Sequence, residues 1–352
     1  MVQRNKFNIS INKNKIDFSI NYSPFKISNK VLDNIKINSE TLSAYPSYHS
    51  NAIVESLADF LNLKKENVII SNGSTEIFFL IPQVFKFNRA LLLSPSFWEY
   101  EFTISLNSIK KDFLVLPHSN DFKFNRKEFE KKIKKVNCIY ICNPNNPTST
   151  YIEKGILASL IKKYKNKMFI VDETYLLFFE NYDKKTLNRL VTKCENLMIV
   201  SSLSKIFGIG GIRLGFCVSS KKNITLLKAK RNPYSLNIIA ELTLPKILKD
   251  MDYLNKTRSF ISKEKFRVYN EIKKVKWLKP FEPTANFILV KIKDNKRTLS
   301  KLEYYLERKG IKIRRGDVIN GLSNKYFRIC IKAKKENNLL VKALNEIKNV
   351  TV

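Results

Sequence analysis

Short runs of apolar residues recur along the first two thirds of the chain, and each run ends abruptly in polar residues. We predict that five of these runs are strands: residues 68–71, 90–93, 138–142, 168–171 and 197–200. Between them the apolar positions have helical spacing, for example over residues 77–85. Uninterrupted apolar strands that alternate with helices predict a mostly parallel sheet covered by helices on both faces. Ligands bind beyond the carboxyl ends of the strands in such sheets.

The last third of the chain has a different pattern, which begins with helical spacing over residues 238–272. Strands are predicted at residues 287–290, 311–314 and 326–331, and a charged helix is predicted to end at Gly310. This pattern predicts a small α+β domain packed on the larger one, with the cleft between them as the expected site. The predicted parts are an N-terminal arm that contributes to the small domain and the active site, a large domain and a small C-terminal domain: residues 1–30, 31–235 and 236–352.

The composition agrees with a folded protein in the cytoplasm. The 352 residues are 44% apolar, which is enough to bury a core. No apolar run reaches the roughly 18 residues that a membrane-spanning helix needs. The first residues are polar and lack the apolar segment of a signal peptide. We therefore expect a cytoplasmic protein with no membrane partner.

The net charge of +33, from 64 Lys+Arg and 31 Asp+Glu, first suggests a nucleic-acid partner. The lysines are scattered along the whole chain, however, and no basic arm, zinc finger or RNA-binding motif accompanies them. This distribution is typical of a solvated lysine-rich surface, so a nucleic-acid partner is disfavoured. A basic surface still attracts anionic substrates over long distances.

Several chemistries are excluded by the residues that the chain lacks. The two histidines, His49 and His118, cannot form a multi-histidine metal site, and the five cysteines include no CxxC pair. No GxSxG motif supplies the serine of a hydrolase. No metal site is therefore predicted. Lysine, carboxylates, arginine, tyrosine or an organic cofactor must carry the chemistry.

The segment 201–215 is the strongest candidate for this chemistry. It places Lys205 just beyond a predicted buried strand, among hydroxyls and glycines, where a desolvated lysine loses its proton and can attack a carbonyl carbon. The hydroxyls of Ser202 and Ser204, together with Arg213, are suited to bind a phosphate.

Two other strand ends carry the complementary groups. The strand that ends at Asp172 delivers a carboxylate, and Tyr175 follows three residues later. A buried Asp172 beside a pyridine nitrogen would keep that nitrogen protonated and make the ring an electron sink. Tyr175 and Asn146 could both form hydrogen bonds with a ring hydroxyl. Each group alone is a weak signal, but their order and spacing together are specific.

These motifs resemble those of the fold type I pyridoxal-phosphate-dependent enzymes of the class I/II aminotransferase superfamily, and the resemblance extends over nearly the whole chain. It implies pyridoxal 5'-phosphate as the cofactor. It also implies an α/β fold whose large domain has a mostly parallel sheet of the seven-stranded type, with a small α+β C-terminal domain. The residues that match the family's cofactor ligands are Tyr45, Gly73, Ser74, Thr75, Phe97, Asn146, Asp172, Tyr175, Ser202, Ser204, Lys205 and Arg213.

The resemblance assigns a role to each of these residues. Lys205 would hold the cofactor covalently and later move the proton, so that Lys205, Asp172 and Tyr175 are the expected catalytic residues. Asp172 would partner the pyridine nitrogen, and Tyr175 and Asn146 the ring oxygen. The amides of residues 73–75 would hold the cofactor phosphate at a helix N-terminus.

Ser202, Ser204 and Arg213 would bind the same phosphate, and Phe97 would stack on the ring. Tyr45 matches the tyrosine that reaches the cofactor phosphate of the neighbouring subunit. The resemblance therefore implies a homodimer with shared active sites.

Within the superfamily the chain most resembles threonine-phosphate decarboxylases, with histidinol-phosphate aminotransferases as near relatives. The stretches that carry this likeness include residues 17–24, 95–100 and 233–237. By this likeness Arg328 would bind the substrate carboxylate, and Arg314 would bind the substrate's own phosphate with Asn21 nearby. Asn146 is also expected to contact the substrate. The expected reaction is decarboxylation of a small O-phosphorylated L-amino acid, serine phosphate or threonine phosphate, to the amino-alcohol phosphate.

Two alternatives to this reaction stay open. The first is an aminotransferase that acts on a phosphorylated substrate, such as histidinol phosphate or a triose phosphate such as dihydroxyacetone phosphate. The second is a cofactor-bearing regulator that binds DNA through its basic surface, although no helix-turn-helix extension is present. Spacing in the sequence does not decide between decarboxylation and transamination, because a small rotation about one substrate bond separates them.

The chain departs from the family pattern at two places. Ser149 occupies the position of the usual glycine after Asn-Pro-Thr, which is expected to alter the turn rather than the chemistry. Residues 6–12 replace the His-Gly-Gly stretch that helps these decarboxylases bind the substrate phosphate. This second departure leaves the substrate open between threonine phosphate and the smaller serine phosphate.

Overall fold

The structure is a computed structural model, and it describes residues 15–294 and 296–347. The segment 6–12 lies outside the described residues. The strands are β1 Ile16–Asp17, β2 Val68–Asn72, β3 Arg89–Ser94, β4 Lys110–Val115, β5 Cys138–Cys142, β6 Met168–Asp172, β7 Leu197–Ser202, β8 Leu214–Ser219, β9 Leu278–Pro280, β10 Phe287–Ile292, β11 Ile311–Lys312, β12 Arg314–Arg315 and β13 Tyr326–Cys330. The α-helices are α1 Asn29–Ile37, α2 Asn51–Leu61, α3 Gly73–Val84, α4 Trp98–Leu106, α5 Arg126–Lys132, α6 Lys154–Lys163, α7 Tyr182–Lys185, α8 Leu203–Ile206, α9 Lys221–Lys230, α10 Ile238–Lys249, α11 Met251–Lys273, α12 Leu299–Arg308 and α13 Lys334–Glu346.

The main sheet has seven strands in the order β2-β8-β7-β6-β5-β3-β4. Five of them, β3 to β7, pair in parallel, and β8 runs antiparallel to both of its neighbours. Helices flank this sheet, which confirms the predicted α/β class with a mostly parallel seven-stranded sheet. Every residue of β5 and β7 is buried. Burial on both faces of the sheet explains why these strands are uninterrupted apolar runs.

All five strands predicted for this sheet are present, but the prediction missed two. Strand β4 begins with Lys110, Lys111 and Asp112, and it lies at the edge of the sheet, where half-exposed polar residues are tolerated. Strand β8 begins at Leu214, at the end of the glycine-containing segment 201–215. Both strands lack the purely apolar signal on which the prediction relied.

The last third of the chain forms a four-stranded antiparallel sheet in the order β12-β13-β10-β9. A separate two-stranded parallel pair joins β1 to β11, with Ile16 opposite Ile311. The beginning of the described chain therefore lies against the C-terminal third. This pairing is what the predicted N-terminal arm requires, while the three domain boundaries stay predictions.

Several predicted element boundaries were wrong. The helix predicted over residues 238–272 is two helices, α10 and α11, which are separated at Asp250. The Asp250 carboxylate accepts a hydrogen bond from the Tyr253 amide at 3.4 Å, so it caps α11 and starts a new helix. The strand predicted over residues 311–314 is interrupted at Ile313. The helix predicted over residues 77–85 begins earlier, at Gly73.

Two negative findings apply to residues 15–294 and 296–347. No helix there combines the length and apolar composition that crossing a bilayer requires. The histidine, cysteine and carboxylate side chains in the same residues form no group of three or more that could hold a metal ion.

Candidate active site

The carboxyl ends of the parallel strands bring the predicted catalytic groups together. Cys142, the last residue of β5, lies opposite Asp172, the last residue of β6. Strand β7 ends at Ser202 and continues directly into the short helix α8, which carries Lys205. Because neighbouring parallel strands end at the same edge of the sheet, residues that are distant in the sequence share one site.

The Lys205 side chain points into the protein without a partner. Its Nζ lies 4.9 Å from the centre of the Tyr22 ring. It makes no hydrogen bond or ion pair within the described part of the chain. Burial, and after it the positive charges of Arg328 and Arg213, lower the pKa of Lys205 to about 8. A substantial fraction of neutral amine is therefore present near neutral pH, as a nucleophilic lysine needs.

The Asp172 carboxylate is held on both of its oxygens. Oδ2 accepts a hydrogen bond from the Tyr100 hydroxyl at 2.6 Å, and Oδ1 accepts one from the Thr174 amide at 2.9 Å. Burial raises the pKa of Asp172, while these two donors and Lys205 oppose that rise. The donors thus favour the ionised carboxylate in a buried position.

Tyr100 was missed by the sequence analysis as a site residue. It lies in the first turn of α4, three residues after Phe97, and its ring packs edge-to-face on the Phe97 ring at 5.5 Å between centres. It is fully buried. A tyrosine one helical turn from the predicted stacking aromatic was the available signal, but only the fold shows that it meets Asp172.

Tyr175 and Asn146 are both buried, and each forms a hydrogen bond with a residue from a distant part of the chain. The Tyr175 hydroxyl accepts a hydrogen bond from Asn21 Nδ2 at 3.2 Å. The Asn146 side-chain oxygen accepts a hydrogen bond from the Arg328 guanidinium. The structure therefore brings Asn21 beside Tyr175. Burial raises the pKa of Tyr175, so its phenol is neutral at ordinary pH.

The two predicted substrate arginines lie directly opposite each other, with Arg314 of β12 paired to Arg328 of β13. Arg328 is buried and donates its second Nη to the Ser19 carbonyl at 2.6 Å. Its guanidinium lies 5.4 Å from the centre of the Phe287 ring. Arg328 forms no ion pair within the described residues, and its Nε is buried without a partner. Burial lowers the pKa of both arginines, yet arginine stays charged in proteins.

The predicted phosphate turn is a tight junction between the start of α3 and the start of β8. Gly73 begins α3 at φ +69°, and its amide donates to the Arg213 carbonyl at 3.0 Å. A Cβ on Gly73 would lie 2.3 Å from a terminal nitrogen of the Arg213 side chain, and a Cβ on Gly215 would lie 2.3 Å from the Ser74 amide nitrogen. The positive φ at Gly73 and the close backbone contact at Gly215 favour glycine at these positions. Because the Gly73 amide is already bonded to the Arg213 carbonyl, the prediction that it holds the phosphate is not met in this structure. The Ser74 and Thr75 amides have no acceptor within the described residues and remain open for an anion.

The other predicted phosphate ligands surround this junction. The Ser202 and Ser204 hydroxyls both donate to the Leu214 carbonyl, at 3.4 and 3.2 Å, and Ser204 also accepts from the Leu214 amide. Both hydroxyls thus join β7 and α8 to β8. The Thr75 hydroxyl donates to the half-buried Glu99 carboxylate at 2.9 Å, another contact that the sequence analysis missed. Burial raises the pKa of Glu99, and the Thr75 hydrogen bond opposes that rise.

Tyr45 stands apart from the other predicted residues. Its side chain is 86% exposed, and its ring lies 5.8 Å from the Tyr234 ring on the protein surface. Tyr48 packs on the same Tyr234 ring, also at 5.8 Å between centres. The single chain therefore offers Tyr45 outward instead of into its own site.

The residues present fit pyridoxal phosphate. The unpartnered, partly neutral Lys205 amine suits a covalent link to an aldehyde. The open amides at the N-terminus of α3 suit the phosphate. The Asp172 carboxyl group, which accepts a hydrogen bond on each oxygen, suits a protonated pyridine nitrogen.

Comparison with known proteins agrees with this fit. The profile of the family described as aminotransferase class I and II matches residues 13–347. A protein of Caldanaerobacter subterraneus subsp. tengcongensis, provisionally assigned as a threonine-phosphate decarboxylase, is 32% identical over 86% of this chain and 83% of its own length. The histidinol-phosphate aminotransferase of Thermoanaerobacter pseudethanolicus is 30% identical over 93% of this chain and 91% of its own.

The crystal structure of the histidinol-phosphate aminotransferase from Clostridium acetobutylicum superposes with a TM-score of 0.88 at 29% identity, and it covers 95% of this chain and 99% of that one. The predicted cofactor is thereby confirmed as pyridoxal 5'-phosphate. The predicted resemblance is also confirmed: the chain belongs to the class I and II aminotransferase family.

Proposed function

We propose that this protein is a pyridoxal-phosphate-dependent decarboxylase that converts serine phosphate or threonine phosphate to the corresponding amino-alcohol phosphate. The observation that carries the proposal is the pair of arginines, Arg314 and Arg328, facing each other in the β12–β13 ladder beside the lysine site. Within residues 15–294 and 296–347 neither of these adjacent cations forms an ion pair with a carboxylate, so they suit a substrate that bears two anions. An O-phosphorylated amino acid has both, a carboxylate and a phosphate.

Each residue then has a defined task. Arg328, fixed by Asn146 and the Ser19 carbonyl, binds the α-carboxylate through its remaining donors. Arg314 binds the substrate phosphate. Lys205 would hold the cofactor covalently, and its amine would deliver the proton that replaces CO₂ on the substrate Cα. When bound, pyridoxal phosphate accepts the electrons of the bond that breaks at Cα, and Asp172 supports this by keeping the pyridine nitrogen protonated.

The relative that is 32% identical to this chain supports decarboxylation, since its given assignment is a threonine-phosphate decarboxylase. A second candidate function, transamination of a phosphorylated substrate such as histidinol phosphate or dihydroxyacetone phosphate, is favoured by the histidinol-phosphate aminotransferases at 30% identity. Histidinol phosphate and triose phosphates lack an α-carboxylate. With these substrates Arg328 has no carboxylate to bind until the amino acid that serves as the second substrate enters the site.

The deciding experiment incubates the cofactor-loaded enzyme separately with serine phosphate, threonine phosphate and histidinol phosphate, and identifies the products by mass. Release of CO₂ and an amino-alcohol phosphate without any keto acid supports the decarboxylase. A requirement for a keto acid, together with conversion of the cofactor to its amine form, supports the aminotransferase and overturns the leading proposal.

We further propose a homodimer in which Tyr45 completes the site of the neighbouring subunit. Its 86% exposure and its place beside Tyr48 and Tyr234 support this, because exposed aromatic clusters are typical of interfaces. Light scattering should give about twice the 41.1 kDa mass of one chain. Tyr45→Phe should weaken cofactor binding about tenfold while leaving the mass unchanged. A monomeric mass, or unaltered cofactor affinity in this variant, would contradict the shared site.

A further inference from the structure

Ser149, which replaces the family's usual glycine, has an unusual backbone conformation. It is completely buried at φ +61°, in the left-handed region that residues with a side chain rarely adopt. Its amide donates to the Asn145 carbonyl at 2.7 Å, which closes the turn that begins with Asn145 and Asn146. A strained serine at this point requires some compensation from its side chain.

That compensation comes from the residues that lead into β10. The Ser149 hydroxyl oxygen accepts hydrogen bonds from the Thr284 amide at 3.1 Å and the Ala285 amide at 2.9 Å. The Thr284 hydroxyl in turn donates to the Ser149 carbonyl. Ala285 is fully buried, and no other acceptor for its amide is present in the described part of the chain. The serine hydroxyl therefore satisfies a buried donor that a glycine would leave unpaired.

We call the contact between Ser149 and residues 284–285 the clasp. It joins the turn that contains Asn146 to the segment that leads into β10. Two residues beyond it, Phe287 begins β10. The Phe287 ring meets the Tyr175 ring edge-to-face at 4.8 Å, and its centre lies 5.4 Å from the Arg328 guanidinium. Asn146, three residues before Ser149, holds the same guanidinium directly.

We propose that Ser149 is a positioning residue: its hydroxyl fixes the start of β10 and thereby sets where Arg328 presents its free donors to the substrate carboxylate. This inference rests on the proposed role of Arg328. It assigns to the serine a task that the loop turn alone does not need, since glycine would form the turn with less strain.

The test compares Ser149→Gly, which accepts φ +61° without strain, with Ser149→Ala, which loses the hydroxyl and keeps the strain. Ser159→Ala is the matched control, because the Ser159 hydroxyl only donates to the Ile156 carbonyl in its own helix. All three are studied as cofactor-loaded enzymes. Ser149→Gly keeps the test valid if Ser149→Ala does not fold.

Two measurements are made, and neither uses turnover. In hydrogen–deuterium exchange, peptides covering residues 284–287 should lose protection about tenfold in Ser149→Gly and remain unchanged in the control. In absorbance titrations of the bound cofactor, wild type should bind 3-phosphoglycerate more tightly than glycerol 3-phosphate, which lacks the carboxylate; neither ligand has an amine, so neither is converted by the enzyme. That preference should shrink about tenfold in Ser149→Gly while affinity for the cofactor itself is unchanged.

A purely structural role would weaken both ligands equally, and that result, or unchanged exchange, overturns the proposal. If wild type shows no preference for the carboxylate, the assigned role of Arg328 falls instead. The exchange result then stands by itself: unchanged protection in Ser149→Gly overturns the clasp, and selective loss of protection supports it.

Discussion

The two halves of the site are built in different ways. The first, which we call the cofactor half, surrounds Lys205 and Asp172 and lies at the carboxyl ends of neighbouring strands of one sheet. Its hydrogen-bond partners come from the same region. The second, which we call the substrate half, contains Arg314 and Arg328 and lies on the four-stranded sheet. It takes its partners from elsewhere, from the turn at Asn146 and from the N-terminal segment.

The electrostatics of the two halves differ in the same sense. Around Lys205 the carboxylates of Asp172 and Glu99 lie among the cations, so charges are balanced within the half. Arg328 has only neutral partners in the described residues. A half whose charges are already balanced suits a cofactor that is common to a whole family. Both arginines of the substrate half are attracted by the Asp17 carboxylate but form no ion pair with it in the described residues. Such a half is suited to select the substrate.

The largest effect is expected when Lys205 is removed from the cofactor half. Lys205→Ala should abolish the visible absorbance of the lysine-bound cofactor and reduce turnover by at least about 10⁴-fold, because both the covalent link and the proton carrier are lost. Spectra and rates of the loaded variant test this. Lys265→Ala is the matched control, since burial also lowers the pKa of Lys265 to about 8, but its amine donates to the Thr284 carbonyl. Retained absorbance in Lys205→Ala would mean that another lysine carries the cofactor.

Arg328→Ala should affect only the substrate half. We expect kcat/KM for a carboxylate-bearing substrate to fall about 10²- to 10³-fold, because a buried charged hydrogen bond is lost, while cofactor affinity changes less than about twofold. Arg315→Ala is a suitable control, since the Arg315 side chain forms ion pairs with Glu303 and Asp317 on the surface. An equal loss of substrate and cofactor binding would contradict the separation of the two halves.

Tyr100→Phe should weaken cofactor binding through its effect on Asp172 in the cofactor half. Removal of the 2.6 Å hydrogen bond takes away a donor that favours ionised Asp172, so the pKa of Asp172 should rise further. We expect cofactor affinity to fall about tenfold, with the loss greatest at acidic pH, where Asp172 becomes protonated. Fluorescence titration with pyridoxal phosphate at several pH values from acidic to neutral measures this. A pH-independent loss would point to packing against Phe97 instead.

The smallest effect on chemistry is expected at Glu173, which follows Asp172 but turns away from the site. Its carboxylate accepts hydrogen bonds from the Thr186 hydroxyl at 2.6 Å and the Leu187 amide at 3.0 Å, and burial raises its pKa to about 7. The folded protein thus keeps a proton that the unfolded chain releases at a lower pH. The free energy of unfolding should therefore decrease as pH rises toward 7.

Glu173→Gln should remove this dependence. The difference in the free energy of unfolding between about pH 5 and about pH 8 should be smaller than in wild type by roughly 1–3 kcal/mol, while turnover stays within about twofold. Urea denaturation at the two pH values provides the measurement. An identical pH dependence in both proteins would show that Glu173 is already ionised in the folded state.

The cofactor half could be predicted from the sequence to a large extent, because its residues follow buried strands whose apolar runs are visible locally. The order and spacing of the polar groups beyond those apolar runs were enough to predict Asp172 and Lys205 as site residues. Strand β4 was missed because an edge strand carries polar residues, and β8 because its start is part of a glycine-containing segment. The break at Asp250 was missed because helical spacing continues on both sides of it.

The amino-acid sequence by itself determined the fold class, the cofactor and the order of the groups that would bind it, since strand burial and motif spacing are properties of short segments. Only the tertiary structure decided which side chains meet. The pairs Tyr100–Asp172, Ser149–Ala285 and Asn146–Arg328 are separated by 72, 136 and 182 residues. No local pattern specifies such pairs, because they form only when strands and turns from distant parts of the chain pack at one edge of the sheet.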